Sequence, residues 1–167
     1  MGAVTRVLGN LLRERIPIRD LRTILETLAD QASAQKDTDL LTESVRQALA
    51  RTITHQYQSG DRNLKVIGID PRLDHQIASG IQQSNQGSFL TLDPALVQKI
   101  IGRIKQAAER MAGRNEQPVL LCSPAIRPHI KKLVERAMPS IPVLSTGEVS
   151  PQVRIIALEN VKSPDED

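Results

Sequence analysis

The sequence contains almost no aromatic residues: among 167 positions there are one Tyr, one Phe and no Trp. Its core is therefore expected to consist of Leu, Ile, Val and Ala side chains. Proteins that read single-stranded nucleic acid commonly stack the bases on aromatic rings, and this chain has too few rings for such a surface. The charge balance agrees, because 22 basic and 19 acidic residues leave a net charge of only +3. No nucleic-acid partner is predicted.

Cysteine is also scarce. The single cysteine, Cys122, excludes an internal disulfide and ends an apolar run, so it is expected to be a buried, unreactive thiol. No apolar run approaches the roughly 20 residues that cross a bilayer, and the start of the chain does not have the features of a signal peptide. The chain by itself is therefore predicted to be soluble.

The residue patterns of catalysis, nucleotide binding and metal binding are missing as well. Neither glycine-rich phosphate-binding motif, G-x-G-x-x-G or G-x-x-x-x-G-K-[ST], occurs in the sequence. The histidines His55, His75 and His129 fall singly on separate predicted helices, without cysteines or carboxylates at metal-ligand spacing. We therefore predict no catalytic residue, no cofactor and no metal site, and a protein that is not an enzyme.

The first third of the sequence does contain apolar residues at helical spacing. Pro17 interrupts this pattern, because it cannot donate a backbone hydrogen bond and disfavours helical geometry at Ile16. Since proline is well tolerated in the first turn of a helix, Pro17 is predicted to start a second helix. The inner face of that helix is predicted to consist of Ile18, Leu21, Leu25 and Leu28.

The spacing of the apolar residues changes after a polar, glycine-containing linker at residues 58–63. Before it, a third helix is predicted to run from about residue 38 to Tyr57. Beyond it, predicted strands and helices alternate, which indicates an α/β unit with parallel central strands. The predicted fold is α+β, with three parts: an N-terminal helical subdomain (1–60), a small α/β subdomain with a mixed, partly parallel sheet (61–161) and a disordered acidic tail (162–167).

Proline and glycine predict where helices of the α/β part begin and end. A helix is predicted over residues 70–84, and Asp93 before a proline is predicted to cap a long helix that stops at Gly113. Ser123 is predicted to cap a further helix whose first turn Pro128 disturbs.

The helical part carries the one notable cluster of basic residues in the sequence. Acidic residues are interleaved with it, which is typical of a salt-bridged surface rather than a DNA contact. Because no residue nearby has catalytic chemistry, this surface is predicted to dock against neighbouring elements or subunits. The candidate partner or oligomer surface consists of Arg15, Arg19, Asp20 and Arg22.

Several segments, in their order, resemble the type III export-gate family (FHIPEP, of the FlhA/LcrD/InvA type) of flagellar and virulence secretion. The similarity extends from about Val4 to Val161 and rests on IPIRDLRTILETLAD, DLLTESVRQALAR, SFLTLDPAL and QPVLLCSPAIR. It implies that the chain corresponds to the last two cytoplasmic subdomains, one helical and one α/β, of a bacterial inner-membrane protein. LKVIGIDPRLD favours the flagellar branch, whereas SGIQQSNQGSF is similar to the virulence branch.

The resemblance also implies a non-enzymatic function in docking and assembly. Members of the family form a nonameric cytoplasmic ring that receives export substrates and their chaperones. The expected partners are therefore further copies of the chain, other export-apparatus proteins, export chaperones and substrates. Contact with the membrane is expected only through an N-terminal half that this chain is expected to lack. Two alternatives remain open: a nucleic-acid-binding helical adaptor, and a small-molecule or nucleotide-binding α/β domain.

Overall fold

The computed structural model of the chain describes residues 2–166, which form two compact units. The first unit contains the residues up to Tyr57 together with Gly147–Gln152. The second unit contains Gln58–Thr146 and the residues from Val153 onward. The segment Gly147–Gln152 thus belongs with the helices, although most of the α/β region precedes it in the sequence.

Four helices form most of the first unit, and α3 packs against both α1 and α2. They are α1 (Gly2–Arg13), α2 (Leu21–Gln31), α3 (Thr38–Ala48) and α4 (Ala50–Tyr57). Their buried apolar residues are aliphatic, as the composition predicts: Val7, Leu11, Ile24, Leu28, Leu41, Val45 and Ile53. The single helix predicted to continue to Tyr57 is wrong, because the backbone leaves helical geometry at Leu49, between α3 and α4.

A Schellman turn ends helix α1. Arg15 adopts the left-handed conformation with a φ of 62°. The N–H of Ile16 donates to the carbonyl of Leu11, and the N–H of Arg15 donates to that of Leu12, both at 2.9 Å. This bonding satisfies carbonyls at the end of the helix, and Ile16 and Leu11 are both buried, as the motif favours.

Helix α2 begins later than the sequence predicts. The expectation that Pro17 starts it is wrong, because the helix begins at Leu21 and Asp20 is its N-cap residue. The Asp20 Oδ1 atom accepts a hydrogen bond from the Thr23 N–H at 3.2 Å. A carboxylate cap satisfies an otherwise unpaired donor of the first turn, so Asp20 sets the start of the helix.

A four-stranded parallel sheet and three helices form most of the second unit, with a separate antiparallel hairpin of β2 and β3. The sheet order is β5-β4-β1-β6. The strands are β1 (Asn63–Ile69), β2 (Ile81–Ser84), β3 (Gly87–Leu90), β4 (Leu120–Cys122), β5 (Val143–Ser145) and β6 (Arg154–Val161). The helices are α5 (Pro71–Ser79), α6 (Pro94–Gly113) and α7 (Arg127–Val134). Short 3-10 turns occupy Thr146–Glu148 and Pro164–Glu166. The predicted mixed, partly parallel α/β architecture is confirmed.

The core of the second unit lies between the sheet and its helices and is also aliphatic. Long helix α6 contributes four buried residues and packs against β1 and β6. The fully buried members of this core include Ile67, Leu73, Ile100, Ile104, Met111, Leu120, Ile126 and Ile130.

Helix α5 ends earlier than predicted. It stops at Ser79 rather than near residue 84, because strand β2 begins at Ile81. No side chain fits at Gly80 between them, where a Cβ atom would lie 2.7 Å from the Thr91 carbonyl oxygen. The predicted stop of α6 at Gly113 is confirmed, because Gly113 is the last residue of the helix. Asn115, two residues further on, takes the left-handed conformation with a φ of 59°.

The cap predicted at Ser123 is wrong. Residues 124–126 form a turn, and α7 begins only at Arg127. Pro128 therefore lies in the first turn of this helix, where its missing N–H costs no helical hydrogen bond.

The C-terminal residues are more ordered than the predicted disordered tail. The Ser163 side chain is buried, and its hydroxyl donates to Gln76 Oε1 at 2.9 Å. Gln76 in turn donates to Asp165 Oδ2 at 2.9 Å, within the 3-10 turn. Asp167 lies outside the described residues.

Candidate docking surface

The four residues predicted as a docking surface lie on one stretch of chain between the end of α1 and the first turn of α2. Arg15, Arg19, Asp20 and Arg22 are all exposed. The Schellman turn and the Asp20 cap define the backbone at the two ends of this stretch. Its start is also held by Gln56, whose side-chain amide donates to the Arg15 carbonyl at 3.0 Å.

Two of the four side chains already have partners. Arg22 Nε lies 2.9 Å from Glu26 Oε1 in an exposed pair one helical turn apart. The hydroxyl and the N–H of Thr23 both bond the Asp20 carboxylate, which lowers the pKa of Asp20. Arg15 and Arg19, in contrast, make no ion pair with any residue between 2 and 166. Their charges are therefore available to a partner.

Helix α2 also exposes leucine side chains that the sequence predicts to be internal. Ile24 and Leu28 are buried, whereas Leu21 and Leu25 are 46% and 48% exposed. The predicted inner face is therefore wrong for Leu21 and Leu25, because α2 packs against α3 through its other side. The two leucines lie one turn apart and so form a continuous apolar strip. The α2 docking surface is defined here as Arg15, Arg19, Asp20, Leu21, Arg22 and Leu25.

A buried ion pair holds the segment Gly147–Gln152 in the first unit. The Nε and Nη2 atoms of Arg46 donate to the two carboxylate oxygens of Glu148 at 2.8 and 2.9 Å. Both side chains are only 1% exposed. A second carboxylate, that of Glu14, lies 3.7 Å from Arg46 Nη1. The bidentate contact with Glu148 gives the buried Arg46 side chain both charge compensation and a defined geometry.

Thr54 of α4 completes this connection. Its hydroxyl donates to the Glu148 carbonyl at 3.1 Å and accepts from the Ser150 N–H at 2.8 Å. Burial raises the pKa of nearby Tyr57. Sequence reasoning missed all of these contacts. Helical spacing could have placed Arg46 on the buried side of α3, but no local pattern points to its partner, which lies 102 positions away.

The second unit contains a cavity of about 420 Å³ at the carboxyl ends of β1, β4 and β5. Its acidic residue, Asp74, already accepts hydrogen bonds from the Ser123 N–H at 3.0 Å and the Ser123 hydroxyl at 2.7 Å. A carboxylate at this edge repels phosphate, which disfavours the alternative of a nucleotide site. Among residues 2–166, no three His, Cys, Asp or Glu side chains are grouped as a metal site requires.

Aliphatic cores thus support a surface with exposed leucines and arginines. None of the helices within residues 2–166 combines the length and the apolar character that crossing a membrane requires. Comparison with known proteins identifies the family. The sequence matches the FHIPEP family over residues 1–154, so the chain belongs to this family of type III export-gate proteins.

Two relatives illustrate the range of the family. The flagellar biosynthesis protein FlhA of Bacillus subtilis is 42% identical over 155 residues, which are 93% of this chain and 23% of that protein. The low calcium response locus protein D of Yersinia pestis is 32% identical over 158 residues, which are 95% of this chain and 22% of that protein. The chain thus spans less than a quarter of the length of these relatives.

Solved structures show the same fold. The nonameric SctV-C of EPEC superimposes with a TM-score of 0.84 at 34% identity, over 95% of this chain and 48% of that one. Chlamydia pneumoniae CdsV, in its complex with CdsO, gives a TM-score of 0.82 at 35% identity, over 95% of this chain and 47% of that one. The predicted family resemblance is confirmed.

Proposed function

We propose that this chain is a non-enzymatic assembly module of a type III export gate, and that its α2 docking surface contacts the next subunit of a ring. The observation that carries the proposal is the exposed pair Leu21 and Leu25, preceded in the chain by Arg15 and Arg19, which form no ion pair among the described residues. Covering exposed leucine side chains with another protein surface removes apolar area from water and so stabilises the complex. The nonameric assembly of the similar SctV-C supports a neighbouring subunit as that surface.

The whole protein that carries this segment is then proposed to receive export substrates and their chaperones on the cytoplasmic side of a bacterial inner membrane. Other proteins of the export apparatus are further proposed partners, in keeping with the complex of the similar CdsV with CdsO. The flagellar system is favoured, because the flagellar relative is 42% identical and the Yersinia protein only 32%.

Light scattering on the full-length export-gate protein in detergent, with and without substitutions in this segment, tests the ring contact. The double variant Leu21→Asp/Leu25→Asp places two carboxylates in the apolar strip and is expected to convert rings to smaller species. The folded state should tolerate both changes, because the two side chains are exposed. Circular dichroism of the isolated 167-residue chain checks that its thermal midpoint is retained.

A matched control places the same charges on another exposed part of the chain. Ala95→Asp/Gln98→Asp lies on the outer side of α6, where both residues are exposed, and is expected to leave the rings intact. Rings that survive the leucine substitutions, or that are lost equally in the control, would contradict the proposed surface.

A further inference from the structure

Edge strand β6 has the features of a peptide-binding site that ring assembly through α2 does not use. It lies at one end of the sheet, so one side of its backbone has no neighbouring strand. The regular part of its pairing with β1 is Arg154–Ala157. After Ala157 the register shifts and Leu158 is an extra residue, which is a β-bulge.

Within Arg154–Ala157, the main-chain groups of Ile155 and Ala157 point away from β1. The Arg154 N–H donates to the carbonyl of Arg62, the residue just before β1, at 3.4 Å. Successive residues of a strand direct their main-chain groups to opposite sides. Ile156 therefore faces β1 as Arg154 does, and Ile155 and Ala157 face outward. Among residues 2–166, no backbone hydrogen bond uses these outward groups.

The side chains at this edge are also uncovered. Ile155 is 43% exposed, and Arg154 and Ala157 are exposed as well. Proteins commonly protect an open edge with proline, charged side chains, a β-bulge or a covering element. Arg154 and the bulge at Leu158 therefore leave only the short segment between them open. Arg154–Ala157 contains no proline, and its exposure shows that nothing in the described chain covers it. Such an edge can accept an extended peptide as an added strand.

The surroundings of the edge carry an excess of positive charge. The carboxylate of Glu159 is shared by Arg110 of α6 and by Arg114, the residue after α6. Arg110 contacts one of its oxygens and Arg114 lies 3.8 Å from the other. Lys65 Nζ lies 2.8 Å from Glu116 Oε1, and the two opposite charges of this ion pair compensate each other. Arg62 and Arg154 are brought together by the hydrogen bond between their main chains, are both exposed, and form no ion pair with any residue between 2 and 166.

We propose that Arg154–Ala157 binds an extended acidic segment of another protein as an added β-strand. The main-chain groups of Ile155 and Ala157 provide its hydrogen bonds, and the Ile155 side chain provides an apolar contact. The arginines select for acidic residues in the ligand, since complementary charge determines specificity more than total affinity. The bulge at Leu158 limits the added strand to a short segment.

Fluorescence anisotropy of the 167-residue chain with labelled peptides tests this proposal. The probe is a peptide of about eight residues, a common strand length, in which Glu and Val alternate. A matched peptide has Lys in place of Glu. At ~50 mM salt, where surface charges are weakly screened, the Glu peptide is expected to bind at least about tenfold more tightly than the Lys peptide.

Three variants separate the contribution of the backbone hydrogen bond from that of the charge. Ala157→Pro removes only an outward N–H, which an edge strand tolerates, and is expected to weaken binding about tenfold. Ala157→Val keeps that N–H and is expected to bind as the unmodified chain does. Arg154→Glu reverses one charge beside the strand and is expected to weaken the Glu peptide and not the Lys peptide. Circular dichroism checks that all three variants remain folded.

Three results would overturn the proposal. The first is equal binding of the two peptides, which would remove the acidic selectivity. The second is binding that Ala157→Pro leaves unchanged, since a ligand held only by side chains is not an added strand. The third is concentration-dependent dimerisation in sedimentation that Ala157→Pro abolishes, because the edge would then pair with a second copy of the chain. The α2 variants Leu21→Asp/Leu25→Asp are expected to bind the Glu peptide normally, which keeps this test separate from that of the ring.

Discussion

Arg46 and Glu148 lie 102 positions apart in the sequence and form a fully buried, two-pronged ion pair at 2.8 and 2.9 Å. The pair joins α3 to the segment between β5 and β6. Breaking a buried pair by removing one partner leaves the other charge uncompensated, which is far more costly than losing an exposed pair.

The first prediction concerns this pair. Glu148→Gln is expected to lower the free energy of unfolding by about 3 kcal/mol, because the Arg46 charge remains buried without its carboxylate. Urea denaturation followed by circular dichroism measures the change. Arg46→Met/Glu148→Leu removes both charges and is expected to recover much of the loss.

The exposed pair of Arg22 and Glu26 provides the control for that prediction. Glu26→Gln is expected to change the free energy of unfolding by no more than about 0.5 kcal/mol, because water already solvates both groups. If Glu148→Gln lowered the free energy of unfolding by no more than Glu26→Gln does, the buried pair would have no special structural role.

The second prediction concerns pH. The bonds from Thr23 lower the pKa of Asp20 below its ordinary value of 3.8 in the folded chain. On acidification the unfolded chain therefore takes up the proton first. The stabilisation by Asp20 is complete above its ordinary pKa and is lost as the pH falls through the folded pKa. The thermal midpoint of Asp20→Asn is expected to depend less steeply on pH below about 4 than that of the unmodified chain.

Asn is the appropriate replacement at this position, because its side chain can still cap the helix but does not ionise. Asp20→Ala removes both and is expected to lower the thermal midpoint at neutral pH as well. Identical pH profiles for Asp20→Asn and the unmodified chain would contradict the role assigned to the carboxylate.

The third prediction concerns the left-handed residues that end α1 and α6. Arg15→Gly is expected to raise the free energy of unfolding by up to about 1 kcal/mol, because glycine adopts a φ of 62° without a steric penalty. Asn115→Gly is the matched control and is expected to gain less, since asparagine tolerates this conformation better than arginine. The thermal midpoints of the two variants, each compared with that of the unmodified chain, measure these gains. A larger gain at Asn115 would mean that the backbone of Arg15 is not strained.

The fourth prediction concerns Cys122, which is buried with its sulfur 3.7 Å from the Leu144 carbonyl. Its thiol is expected to react with a thiol reagent such as Ellman's reagent only as fast as the chain unfolds. In denaturant the reaction should be immediate. Rapid reaction of the native chain would show that β4 is open to solvent.

Features that depend on interactions between neighbouring residues could be predicted from the sequence. Helix periodicity, strand alternation and the Asp93 cap each involve neighbouring residues, and the structure has the corresponding elements. The predicted surface residues Arg15, Arg19, Asp20 and Arg22 are exposed, since charged side chains remain in water. Their contact with a partner stays a prediction.

Which apolar residues face inward, and which distant segments meet, depends instead on how the helices and strands pack. Leu25 and Leu28 have the same hydrophobicity, and packing of α3 on one side of α2 leaves Leu25 exposed and buries Leu28. Nothing near Glu148 in the sequence indicates Arg46. Pairing across so many residues depends on the path of the whole chain, because local hydrogen bonding and periodicity carry no information about distant partners.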